Sequence, residues 1–81
     1  MARKEKLYLA MKANPHGDWS IREVAALCRA YDITCAAPTR GSHYTLSHPA
    51  VPGHLTVPAH RPIKPIYIRL LIAMIESLPT A

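Results

Sequence analysis

Apolar and polar positions recur along this chain with two different periods, and the changes of period mark out its elements. Residues 3–13 mix Leu7, Leu9, Ala10 and Met11 with Lys4, Lys6 and Lys12, the spacing of a short amphipathic helix. Asn14-Pro15-His16-Gly17-Asp18 breaks that pattern as a loop. A second helix is predicted from Ile21 to Tyr31, with Val24, Ala25, Leu27, Cys28 and Tyr31 inward and Arg22 and Arg29 outward. Its start carries a capping box, because Ser20 is followed three residues on by Glu23. Trp19 and Val24 then occupy the two positions of a hydrophobic staple.

The period next drops to two. Ile33-Thr34-Cys35-Ala36 is a short β-type run that follows Asp32. From His43 to His48 the residues alternate, with His43, Thr45 and Ser47 on one face and Tyr44, Leu46 and His48 on the other. Pro49 to Gly53 reads as a turn, and His54-Leu55-Thr56-Val57-Pro58 alternates again. Setting Ser47 opposite His54 pairs Leu46 with Leu55, Thr45 with Thr56, Tyr44 with Val57 and His43 with Pro58. That register puts the large apolar residues on one face. The other face carries His43, Thr45, Ser47, His54 and Thr56, with no acid among them. The helical period returns from Ile66 to Leu78, where Ile68, Leu71, Ile72 and Ile75 form a core stripe after a first-turn proline, Pro65. The expected architecture is α+β: helix, helix, three antiparallel strands and helix, with the helices layered on a small sheet.

Composition narrows the function. With 81 residues the chain has room for one core. Lysine and arginine outnumber aspartate and glutamate by 10 to 5, which favours an acidic partner such as nucleic acid. The apolar stretch Ile66 to Ile75 is interrupted by Arg69 and is too short to span a bilayer. No apolar run follows the charged N-terminus as a secretory signal would require, so a cytoplasmic protein without membrane contact is expected. Cys28 and Cys35 are expected to be reduced core residues. His43, His48, His54 and His60 match no zinc spacing, so neither metal nor cofactor is expected.

Candidate chemistry gathers around Arg40-Gly41-Ser42-His43. A histidine at a turn-to-strand junction on a polar face suits general acid or base work near neutral pH. An ordinary surface histidine is the plain alternative. Gly41 supplies a positive-φ turn or close backbone approach. Ser42 is no nucleophile for His43, since adjacent strand residues point to opposite faces, and it serves better as a phosphate donor or turn cap. Arg40, His60, Arg61 and Lys64 are placed by the register near the same sheet end, where they can meet a polyanion. Otherwise they are solvated loop charges.

The residues Gly41-Ser42-His43-Tyr44, then Ser47-His48-Pro49, then Leu55-Thr56-Val57-Pro58-Ala59-His60 and an apolar final helix resemble the HicA toxins. The resemblance runs from about Trp19 to Leu78, leaving residues 1–18 as an additional N-terminal helix and loop. The connection from His60 to Pro65 departs from the family's usual Gly-Thr start to the last helix. The resemblance implies a double-stranded-RNA-binding-domain-like fold and a metal-independent mRNA interferase. It also implies a catalytic histidine at His43, and a HicB-type antitoxin that covers the site. Two other readings fit the pattern: a non-catalytic RNA-binding module of the same fold, and a winged-helix DNA binder. The second is weakened because the Ile21–Tyr31 helix offers only Arg22 and Arg29 to base edges.

Overall fold

The computed structural model describes residues 2–79; residues 1, 80 and 81 of the expected single domain lie outside it. Three helices and three strands follow in the order α1 (Ala2–Ala13), α2 (Ile21–Ala30), β1 (Thr34–Ala36), β2 (His43–His48), β3 (Val51–Pro58) and α3 (Pro65–Glu76). The strands form one antiparallel sheet in the order β1-β2-β3, so β2 is central. The protein is therefore α+β: two helices, a three-stranded antiparallel sheet and a C-terminal helix.

The start of α2 is built as its residues require. The Glu23 carboxylate accepts from the Ser20 backbone N–H at 2.8 Å and from the Ser20 hydroxyl at 3.1 Å. Trp19 packs against the same core as Val24, and its indole N–H donates to the Asn14 carbonyl at 2.7 Å. Gly17 makes room for that ring, because a Cβ there would lie 2.9 Å from Trp19 Nε1. The other end of α2 closes without glycine. Asp32 takes a φ of +59°, and the Ile33 N–H reaches back to the Cys28 carbonyl at 2.8 Å. This is a Schellman-type stop, with Ile33 and Cys28 both buried where the motif brings them together. Ile33 therefore belongs to the stop rather than to the strand, and β1 begins at Thr34.

The sheet keeps most of the expected register. His43 faces Pro58, Tyr44 faces Val57, Thr45 faces Thr56 and Leu46 faces Leu55. The hairpin end differs. β3 begins at Val51, which pairs with His48, so the turn contracts to Pro49-Ala50. Ser47 alone on β2 then spans Pro52, Gly53 and His54 on β3, instead of pairing with His54. The cause is local. Pro52 has no N–H for the ladder, and Gly53 adopts a φ of +76°, so the surplus residues bulge. The His48 ring closes the turn by accepting the Ala50 N–H at Nδ1, 3.0 Å.

One hydrophobic cluster lies between the sheet and the helices. Leu46 and Val57 enter it from the sheet, Val24, Leu27 and Cys28 from α2, and Ile68, Leu71, Ile72, Met74 and Ile75 from α3. Burying a side chain such as Leu46 contributes roughly 2 kcal/mol. Helix α1 buries less than its pattern suggested: Met11 is buried, Leu7 and Tyr8 are half-buried, and Leu9 and Ala10 are exposed. Polar contacts fasten it instead. The Glu76 carboxylate on α3 accepts from both Tyr8 and Lys12. No helix among the described residues is long and apolar enough to cross a membrane.

Candidate nucleic-acid interface

The outer face of the sheet is open. Thr34, Ala36, His43, His54 and Thr56 are exposed, and Thr45 and Ser47 are half-buried. None of these is acidic, so the face repels no phosphate. Leu46, Leu55 and Val57 alternate to the inner side and join the core, as the register required.

His43 stands at the head of β2, opposite Pro58 at the tail of β3. The chain arrives through bends at residues 39–42, where Gly41 has a φ of +76°. A side chain at Gly41 would meet nothing within 4 Å, so glycine is needed there for its backbone alone. One residue before the strand, the Ser42 carbonyl accepts the Ala59 N–H at 2.7 Å, which extends the ladder past the formal end of β3. The Ser42 hydroxyl lies 3.5 Å from His60 Nε2. Ser42 thus turns to His60 and not to His43, and the two histidines flank it at one end of the sheet.

The basic side chains at this end divide into two kinds. Among the described residues the side chains of Arg40, His43 and Lys64 make no hydrogen bond or ion pair, and all three are exposed. Arg61 is engaged. Its Nε and Nη2 donate to the two Asp18 oxygens at 3.0 and 2.9 Å. The hydrogen bond from Arg61 holds the Asp18 carboxyl below its usual range, and the same bond holds the guanidinium higher. Beside it, the Ile63 N–H donates to the Trp19 carbonyl at 2.8 Å, and Ile63 is buried. Arg61 and Ile63 therefore clamp the β3–α3 connection to the loop ahead of α2. That clamp sets where His60 and Lys64 stand. Of the cations expected to meet a polyanion, Arg40 and Lys64 are available, and Arg61 is a clasp already neutralised by Asp18.

Two features were not foreseen from the residues. One is the Asp18–Arg61 pair, which joins positions 43 residues apart and has no signal in local spacing. The other is a recess beside His60, lined by Pro58, His60, Pro62, Lys64 and Tyr67. Tyr67 packs against the core and also walls this recess.

Cys28 and Cys35 are free thiols, the first buried and the second half-buried. Burial, and then the neighbouring Cys35, push the Cys28 thiol up to about 12. Among the described residues no three His, Cys, Asp or Glu side chains converge as metal ligands would. Compared with protein-family models, curated proteins and solved structures, the chain finds no match.

Proposed function

We propose that this protein is a metal-independent endoribonuclease that cleaves mRNA, acting in the cytoplasm as the toxin of a toxin–antitoxin pair. The observation that carries the reading is the placement of His43: exposed, unpartnered among the described residues, at the head of the central strand, on an acid-free face. Its likeness in motif to the HicA toxins, and the helix–three strands–helix order from α2 onward, support the same reading. That order is also the one a double-stranded-RNA-binding-like domain has.

In this mechanism His43 takes the proton from a ribose 2′-OH. The freed oxygen attacks the adjoining phosphorus, and the bond to the 5′-oxygen of the next nucleotide breaks. The products are a 2′,3′-cyclic phosphate and a 5′-hydroxyl, and the leaving oxygen must gain a proton. His60 is the second histidine at this sheet end, held beside Ser42, and it delivers that proton. Arg40 and Lys64 balance the charge that builds on the phosphorane oxygens, as preorganised cations do. Gly41 and the Ser42 hydroxyl line the approach of the phosphate. Arg61 acts at one remove, through the clasp that sets the His60–Lys64 segment. A HicB-type antitoxin would silence the protein by covering His43.

The test uses isolated protein and RNA in EDTA, with His43→Ala and His60→Ala beside the wild type. The expected result is wild-type cleavage leaving 2′,3′-cyclic phosphate ends, with both variants slowed at least a hundredfold. Cleavage that requires added metal, or RNA held by the wild type without being cut, would overturn the catalytic reading. The latter outcome would instead favour a module that reads A-form RNA through phosphates and 2′-hydroxyls.

A further inference from the structure

The recess beside His60 has a volume of about 100 Å³ and is lined by Pro58, His60, Pro62, Lys64 and Tyr67. Its walls are chemically mixed in a specific way. Two prolines and a tyrosine supply apolar lining, while His60 and Lys64 bring a hydrogen-bonding ring and a cation. The recess is small beside the roughly 300–1,000 Å³ of ordinary ligand pockets. It has space for one flat ring and not for a whole nucleotide or a peptide side-chain cluster.

Its position connects it to the candidate chemistry. Pro58 forms part of the wall and is also the residue directly opposite His43. Paired strands lie about 5 Å apart, so the recess begins one strand's width from His43. His60 forms another part of the wall and touches Ser42 at 3.5 Å. Tyr67 is half-buried and packs on the core, and the Arg61–Asp18 and Ile63–Trp19 contacts hold the segment that carries His60, Pro62 and Lys64. The recess is therefore formed before any ligand arrives.

We infer that this recess receives one unpaired nucleobase of the RNA, next to the phosphate that is cut. The inference rests on the ribonuclease reading above. The base stacks on Tyr67 between the proline rings, and Lys64 at the mouth meets the phosphate attached to it. Because every base has a flat face, stacking alone supplies affinity. Choice among bases comes from how well each ring fits the recess and stacks on Tyr67. Cleavage is then confined to single-stranded RNA and biased at the nucleotide beside the cut, with Tyr67 as the residue that sets the bias.

Two measurements test this. In the first, the protein is titrated with uridine 5′-monophosphate, adenosine 5′-monophosphate and ribose 5-phosphate while the Tyr67 ring signals are followed by NMR. The nucleotides should shift those signals, and ribose 5-phosphate, which lacks a base, should not. Equal shifts from all three, or none from any, would overturn the proposal. In the second, cleavage positions are mapped on an unstructured RNA pool for the wild type, Tyr67→Phe and Tyr67→Ala. Tyr67→Phe should keep the wild-type bias and Tyr67→Ala should flatten it about tenfold. The bias is a ratio between positions, so loss of folded protein in Tyr67→Ala cannot imitate the effect. An unchanged bias in Tyr67→Ala would overturn the recess and leave the His43 reading standing. If the wild type cuts no RNA, the ribonuclease reading falls and the nucleotide titration alone decides the recess.

Discussion

Gly41 and Gly17 are needed for different physical reasons, and substitution can tell the reasons apart. At Gly41 an added Cβ meets nothing within 4 Å, so alanine is resisted only by the φ of +76°. Holding an L-residue in that region costs roughly 1–2 kcal/mol, and alanine returns about 0.5 kcal/mol by narrowing the unfolded ensemble. The net loss for Gly41→Ala is about 1 kcal/mol. At about 2.1 cal/mol/K per residue, unfolding entropy makes that roughly a 6 °C fall in Tm for a domain of this size. Asparagine tolerates positive φ, so Gly41→Asn should recover most of the loss. At Gly17 the Cβ would sit 2.9 Å from Trp19 Nε1, 3.0 Å from the Asn14 amide nitrogen and 3.2 Å from the Asn14 carbonyl. Those groups hold each other through the Trp19–Asn14 hydrogen bond, so neither yields freely. Overpacking of this kind costs about 2 kcal/mol, or roughly 12 °C, and asparagine should be worse than alanine. Thermal unfolding of the four variants by circular dichroism gives the comparison. A Gly41→Asn protein as unstable as Gly41→Ala, or a Gly17→Ala protein as stable as the wild type, would refute the assignment of the two penalties.

Three further outcomes follow from other parts of the fold. Asp32 stops α2 at a φ of +59° with a negative charge at the helix C-terminus, so Asp32→Gly should raise stability by about 0.5–1 kcal/mol in urea melts, and Asp32→Val should lower it. The Cys28 thiol, pushed up to about 12, should carry roughly a thousandfold less thiolate near pH 8.5 than a free cysteine; iodoacetamide should label Cys35 well before Cys28, with unfolding in guanidinium abolishing the difference. Asp18 is held below its ordinary value by Arg61, so the pair's contribution is present above the unfolded carboxyl range near 4 and fades as pH falls through the lower folded value. The margin of wild type over Arg61→Gln should be larger in melts at about pH 6 than at about pH 2.5, and small throughout because both side chains are exposed.

The fold was largely legible because its signals are local or periodic. The Ser20–Glu23 box and the Trp19–Val24 staple located α2, and period-two alternation located β2 and most of β3. Requiring the apolar residues to share a face fixed four cross-strand pairs, including His43 with Pro58. What escaped depended on backbone choices that side-chain patterns do not report. Pro52 and Gly53 read as a turn, yet they continue β3 as a bulge. Asp32 takes a conformation usually left to glycine. The surroundings of the site were legible only in part. Register alone put the 60–64 segment beside His43, but charge along the chain cannot say which arginine is already paired. Arg40 and Arg61 look alike in sequence; one is free among the described residues and the other is held by Asp18. Tyr67 both packs on the core and walls the recess, and no spacing in the sequence reports the second.

The proposed role of His43, as the chemical residue of a metal-independent ribonuclease, stands or falls on what its removal does to cleavage. The most direct measurement is the cleavage rate of one defined RNA in EDTA by wild type and His43→Ala, after circular dichroism shows both to be equally folded. The His43 side chain is exposed and makes no hydrogen bond among the described residues, so its loss should leave stability within about 0.5 kcal/mol. The wild type should cut the RNA, and the variant should be slowed at least a hundredfold. Equal rates for the two proteins would contradict that role.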